Sequence, residues 1–260
     1  MTDHDDDAAS ARPRRVTYLL PTLFTVLNLF LGFLAIVKAF RDESGDVGEA
    51  ALLVLLSGVA DKLDGLMARV TGTASDFGAE LDSLADVVSF GMAPALVAFA
   101  WGLQSLGKPG LVGAFLFLAC GSLRLARFNV QSGDADRRWF VGLPIPMAAA
   151  VLMSVIYGHA WMHPENQHLT NPRWGWLFLA LTVSCAFLMV SNLRYYAFKE
   201  ISVGREHRLL VVLGFSALLV VIFAWPFVVL PAIAGAYALS GPAERLVRWR
   251  PGAAAPGVPE

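Results

Sequence analysis

Apolar runs of about twenty residues, parted by short polar connectors, recur along most of this 260-residue chain, and no other feature restricts its fold so strongly. The hydrocarbon core of a bilayer, about 30 Å thick, takes roughly 20 mostly apolar residues to cross as a helix. Eight stretches meet that length, near 19–40, 49–70, 87–106, 109–128, 144–162, 174–197, 207–224 and 226–241. Trp225-Pro226 breaks the last two apart, although one bent or re-entrant hairpin would read the same way. With 56% hydrophobic residues against 16% charged, and a mean hydropathy of +0.58, the chain is far from an average soluble domain. The expected fold is all-α, a polytopic membrane bundle of about eight transmembrane helices.

The formal net charge of -1 gives no basic field for nucleic acid, so the placement of charge matters more than its sum. Short cytoplasmic loops are enriched in Lys and Arg. Under an eight-span alternation, the side that carries Arg12, Arg14 and Arg15 also carries Arg124, Arg127, Arg194 and Arg245, whereas the other keeps only Lys38, Arg41, Lys108 and Arg173. Both termini are therefore expected in the cytoplasm. MTDHDDDAASARPRR leads into an apolar run without a small-residue cleavage site, which fits an uncleaved first helix. Residues 1–15 and 243–260 read as soluble, unstructured tails flanking a membrane domain at 16–242. Cys120 and Cys185 sit singly in apolar runs and read as packing residues. No internal repeat is visible.

Against this background the stretch 60–91, ADKLDGLMARVTGTASDFGAELDSLADVVSFG, is costly. Asp61 and Asp64 fall on one stripe of the second helix with Gly65 and Ala68, and Asp82 and Asp86, spaced i,i+4, share a face of the helix leading into the third span. The connector Thr71 to Gly78 is long enough to turn the chain back and set the two pairs face to face. Any one of these acids alone reads as a solvated residue or a partner of Lys62 or Arg69. Four of them converging at the membrane border repel one another unless a cation sits among them. Hard oxygen ligands suit Mg²⁺, Mn²⁺ or Ca²⁺, and the absence of nearby Cys or His argues against zinc. Magnesium commonly keeps part of its shell for water and phosphate, which points to phosphate chemistry. Gly65 and Ala68 leave room for a ligand beside the backbone, or simply for helix packing. Arg69 can meet a phosphate or anchor a helix end.

The run Asp61-x2-Asp64-Gly65-x2-Ala68-Arg69-x8-Gly78-x3-Asp82-x3-Asp86 matches every fixed position and gap of one signature, and on it the chain resembles the CDP-alcohol phosphatidyltransferases. PTLFTVLNLFLGFLAI, SFGMAPA, SLRLARFNV and FVGLPIPMAA are similar to the serine-using branch of that family, in its bacterial and archaeal integral-membrane form. The resemblance covers about residues 16–150. It implies transfer of a phosphatidyl group from CDP-diacylglycerol to L-serine, giving phosphatidylserine and CMP, by a multi-pass enzyme of the inner membrane whose site faces the cytoplasm. It also implies that Asp61, Asp64, Asp82 and Asp86 hold Mg²⁺ or Mn²⁺, two ions in the expected form, with Asp86 also the general base. Gly65, Ala68, Arg69, Ser75 and Gly78 would line the CDP-lipid, Asn28 would join them from the first span, and a homodimer is implied.

The acceptor rests on fewer residues. Arg124 and Arg127, i,i+3 at the cytoplasmic end of the fourth span, with Asn129 beyond, suit a serine carboxylate but serve equally as snorkelling anchors. Glycerol 3-phosphate, inositol phosphate or choline are alternative acceptors, and a phosphate-bearing acceptor would want the same arginines. Gly142-Leu143-Pro144-Ile145-Pro146 shapes the entry to the fifth span, as a helix start tolerant of Pro. His159, His163 and His168 lie in the opposite loop and read as solvated. A cation-coupled transporter, the reading from another class, would spread its acids near the midplane rather than gather them at one border.

Overall fold

The computed structural model of the chain describes residues 19–41, 46–71, 76–131, 139–169, 171–196 and 224–248, together with 213, 216 and 220–222. Its helices are α1 (Leu19–Ala39), α2 (Val47–Thr71), α3 (Asp76–Asp86), α4 (Ala93–Trp101), α5 (Lys108–Gln131), α6 (Ile145–Met162), α7 (Pro172–Val190) and α8 (Pro226–Arg248). Among the described residues, five helical stretches are long and apolar enough to cross a membrane: Phe77–Trp101, Lys108–Val130, Ile145–Met162, Pro172–Val190 and Pro226–Leu246. At 25 residues α2 is also long enough, but it carries Glu49, Asp61, Lys62 and Asp64 along its length.

The four most extensive helix pairings are α1 on α2, α6 on α8, α6 on α2, and α5 on α7. α6 is central, with Leu152, Met153 and Ile156 fully buried. Proline opens α6 and α7, where its missing amide costs nothing. Asn171 caps α7 by accepting from the Arg173 amide at 3.0 Å.

Three boundaries differ from those expected. The span expected at 87–106 begins earlier and ends sooner: α3 runs through a π turn, Val87–Met92, into α4, and a 3-10 turn at Leu103–Leu106 follows. The charged start of α3 hid its continuity from a hydropathy ruler. Pro94 offers no amide to the turn before it, and the chain relieves this by widening that turn, with the Ala93 amide donating to Val88 O. The span expected at 174–197 stops at Val190, because Ser191 turns extended and its hydroxyl donates to Leu188 O at 2.8 Å, breaking the ladder. The helix expected at 226–241 continues to Arg248, into the stretch read as tail. The span expected at 207–224 and the tails at 1–15 and 249–260 lie largely or wholly outside the described residues.

An otherwise all-α fold also holds a short ribbon. Trp139–Val141 (β1) pairs antiparallel with Arg194–Tyr196 (β2), with Phe140 opposite Tyr195. Tyr195 is fully buried and its hydroxyl donates to Ala238 O at 3.1 Å, tying the ribbon to α8. Gly142 follows at φ +78°, a left-handed conformation that suits glycine. Its amide donates to Leu193 O at 2.8 Å and the Leu143 amide to Leu188 O at 3.0 Å, so the start of α6 is clamped to the end of α7. The Gly-Leu-Pro-Ile-Pro segment is thus a constrained turn as well as a helix start.

Candidate active site

The C-terminal half of α2 and the start of the α3 rod meet so that one carboxylate oxygen each from Asp61, Asp82 and Asp86 lie within 4.8 Å of one another. All three side chains are partly buried. Two ionised carboxylates at that separation repel by an energy on the order of 3 kcal/mol at an effective dielectric of about 20. Among the described residues, the ion pair at this cluster is Lys62 Nζ to Asp61 Oδ2, at 3.5 Å, with Lys62 80% exposed. An exposed pair of that kind contributes about 0–1 kcal/mol and does not balance three acids. Asp86 Oδ1, moreover, is buried with no hydrogen-bond partner among the described residues. A cluster of hard oxygens short of positive charge, one of them orphaned, fits a divalent cation.

Asp64 stands apart. The residue is 7% exposed, and its Oδ2 accepts a hydrogen bond from the Thr25 hydroxyl of α1. The expected quartet is therefore a trio plus one acid turned toward α1. Asn28, one turn beyond Thr25, is fully buried with neither amide atom partnered among the described residues. Such a side chain needs a partner that the described residues do not supply. α1 approaches closely here because of Gly32, where a Cβ would fall 2.6 Å from Ser89 Oγ. Ser89, in the π turn, donates to Asn28 O at 2.9 Å. The widened turn after Asp86 is thus keyed to α1.

Arg124 and Arg127, equivalent in sequence, separate in space. Arg124 is 7% exposed, with its guanidinium 5.3 Å from the Phe128 ring and 6.0 Å from that of Phe140 on β1, and its Nε has no hydrogen-bond partner among the described residues. It lies within electrostatic reach of Asp86 and Tyr237. Arg127 is exposed and donates to Asn192 Oδ1 at 3.0 Å. Asn129 Nδ2 donates to Ser83 Oγ at 2.9 Å, bracing the end of α5 against α3 between Asp82 and Asp86. Gly65 and Gly78 are partly buried, one residue after Asp64 and one turn before Asp82. Ser75 and the side chains of Ala68 and Arg69 lie outside the described residues.

Thr25, Ser83 and Tyr237 escaped the sequence reading. Thr25 alone carried a usable signal, its i,i+3 spacing from Asn28.

A cavity of about 560 Å³ lies elsewhere, lined by Trp101, His159, His163, Trp174, Phe178 and Phe227 among others. Trp101 is fifteen residues, about 22 Å of helix, beyond Asp86. His159 and His163 have ring centroids 4.9 Å apart, and His168 Nδ1 lies 3.1 Å from Ala100 O. No carboxylate or cysteine lines that cavity among the described residues.

A family model described as CDP-alcohol phosphatidyltransferase matches residues 18–188. The chain is 36% identical over 237 residues to a CDP-diacylglycerol–serine O-phosphatidyltransferase of Helicobacter pylori, covering 91% of this chain and 93% of that protein. A protein of the same name from Methanocaldococcus jannaschii is 38% identical over 171 residues, 66% of this chain and 70% of the relative. An archaetidylserine synthase of Methanothermobacter thermautotrophicus is 42% identical over 137 residues, 52% of this chain and 56% of the relative.

Proposed function

The chain belongs to the CDP-alcohol phosphatidyltransferase family, and from that premise we propose that it transfers a phosphatidyl group from CDP-diacylglycerol to the hydroxyl of L-serine, giving phosphatidylserine and CMP. The observation that carries this reading is the convergence of Asp61, Asp82 and Asp86 around an orphaned carboxylate oxygen, inside a signature spaced for that chemistry.

Asp61, Asp64, Asp82 and Asp86 are the residues that would hold Mg²⁺ or Mn²⁺, in a site for up to two ions. When bound, the cation supplies charge neutralisation for the diphosphate and for the departing CMP. The remaining work falls to the chain. Gly65, Ala68 and Gly78 leave space beside the helices for the CDP-lipid, Arg69 and Ser75 contact it, and the Asn28 amide offers both a donor and an acceptor in a buried position. Arg124, held beside the Phe128 and Phe140 rings and within electrostatic reach of Asp86, orients the serine carboxylate. The serine hydroxyl is a weak nucleophile near neutral pH. Asp86 takes its proton as the oxygen bonds to the phosphorus that bears diacylglycerol. The bond from that phosphorus to the CMP oxygen breaks, and CMP leaves with the electron pair. Arg127 and Asn129, engaged with Asn192 and Ser83, shape the acceptor side from a greater distance.

The same reading places the enzyme in the inner membrane as a bundle of eight spans, with both termini and the acid cluster on the cytoplasmic side. A homodimer is carried forward from the family resemblance. The deciding experiment offers the purified protein CDP-diacylglycerol with serine, glycerol 3-phosphate, inositol phosphate or choline in turn and follows CMP release. Release with serine, matched by phosphatidylserine formed, is expected. Release with another alcohol and none with serine overturns the acceptor, and no release with any of them overturns the reaction.

A further inference from the structure

The bond from Thr25 to Asp64 joins residues 39 apart in sequence and crosses from α1 to α2 between two buried side chains, 2% and 7% exposed. Three features give it meaning beyond packing. Asp64 belongs by spacing to the same quartet as Asp61, Asp82 and Asp86, yet it is the one whose carboxylate is held by a neighbouring helix. A hydroxyl that donates to Oδ2 takes one of that oxygen's two lone pairs and fixes the plane of the carboxylate, leaving Oδ1 the freer of the two oxygens for another partner. Finally, Thr25, Asn28 and Gly32 follow one another at helical spacing along one face of α1. The last two register α1 on Ser89, three residues after Asp86. One face of α1 therefore contacts both halves of the acid cluster, with Thr25 as its grip on α2.

We propose that Thr25 is a positioning residue for the metal centre, orienting Asp64 so that Oδ2 is capped and Oδ1 is presented as the fourth carboxylate of the set. This rests on the metal-dependent transfer proposed above. The role is indirect: Thr25 touches neither substrate nor cation and acts through Asp64. Thr25→Val keeps the shape of the side chain and removes the donor, whereas Thr25→Ser keeps the donor and removes a methyl group.

The test is Mn²⁺ binding to the purified full chain without substrate, read by electron paramagnetic resonance. The panel is wild type, Thr25→Val, Thr25→Ser, Asp64→Asn, the Thr25→Val/Asp64→Asn double variant and Asp61→Asn. A hydrogen bond to a charged group translates into about a tenfold weaker Mn²⁺ affinity for Thr25→Val. Thr25→Ser should stay within about twofold of wild type, and Thr25→Val should add almost nothing in the Asp64→Asn background, since the two residues act as one unit. Unchanged affinity in Thr25→Val, a serine variant as weak as the valine one, or additive losses in the double variant each overturn the proposal. If Thr25→Val does not fold, Thr25→Ala carries the same expectation. Wild type that binds no Mn²⁺ removes the metal-dependent reading and this inference with it. Wild type that binds, lost in Asp61→Asn but untouched in Thr25→Val, removes this inference alone.

Discussion

The two ends of the bundle both set polar side chains among apolar ones, but with opposite charge economy. At the acid end, α2 and the α3 rod bring together Asp61, Asp82 and Asp86, with a single exposed Lys62 as the described ion-pair partner. At the aromatic end, Trp101 meets His159 and Phe178 edge to face, at 5.2 Å and 4.6 Å between ring centroids, around a cavity of about 560 Å³. Among the described residues, polar atoms are left unpartnered at both ends, Asp86 Oδ1 and the Asn28 amide at one, Trp101 Nε1 and His159 Nδ1 at the other. The difference is that the acid end concentrates like charge with one exposed lysine to offset it, which calls for a cation, while the aromatic end brings together rings whose unpartnered atoms a water can satisfy. The cavity lies at one end and the concentrated charge at the other, and the proposed chemistry follows the charge.

The largest effect should come from the acid end. Asp86→Asn keeps the shape and removes the proton acceptor, so turnover should fall by about 10²–10⁴-fold. CDP-diacylglycerol binding, measured separately, should survive, and near wild-type turnover would remove Asp86 as the base. Chelation of divalent cations should silence the wild-type enzyme, with recovery on adding Mg²⁺ or Mn²⁺; activity that persists in chelator breaks the contrast between the ends.

Next in size is the split between two arginines. Arg124→Met should raise the serine KM by about 10–100-fold, the cost of a lost charged hydrogen bond. Arg127→Ala, at an exposed position already paired with Asn192, should raise it by less than about threefold. The reverse order would shift the acceptor anchor outward. Gly142→Ala, at φ +78° with a Cβ that would run into the Met189 carbonyl oxygen, should destabilise the fold by at least about 1–3 kcal/mol in thermal unfolding and leave metal dependence alone. Smallest of all, His163→Ala or Trp174→Ala at the aromatic end should change turnover by less than about twofold.

Much of this was legible in the sequence because lipid makes length and charge informative. Hydropathy marked α1, α2, α5 and α6 closely, and fixed spacing marked the acids before any coordinates. What escaped was set by tertiary contact or by single backbone groups. Nothing in the spacing of Asp61, Asp64, Asp82 and Asp86 says that Asp64 turns to Thr25, since that depends on how α1 lies across α2. The π turn follows from Pro94, a cause that a 3.6-residue template averages away. The ribbon of Trp139–Val141 and Arg194–Tyr196 is three residues a side, too short for an alternation signal. Arg124 and Arg127 look alike one turn apart until Phe128 and Phe140 close over one of them.

The most direct measurement is an anomalous-scattering map from crystals of the protein grown with Mn²⁺. A strong peak among the carboxylates of Asp61, Asp82 and Asp86 is the predicted result. A peak between His159 and His163, with none at the acids, would contradict it.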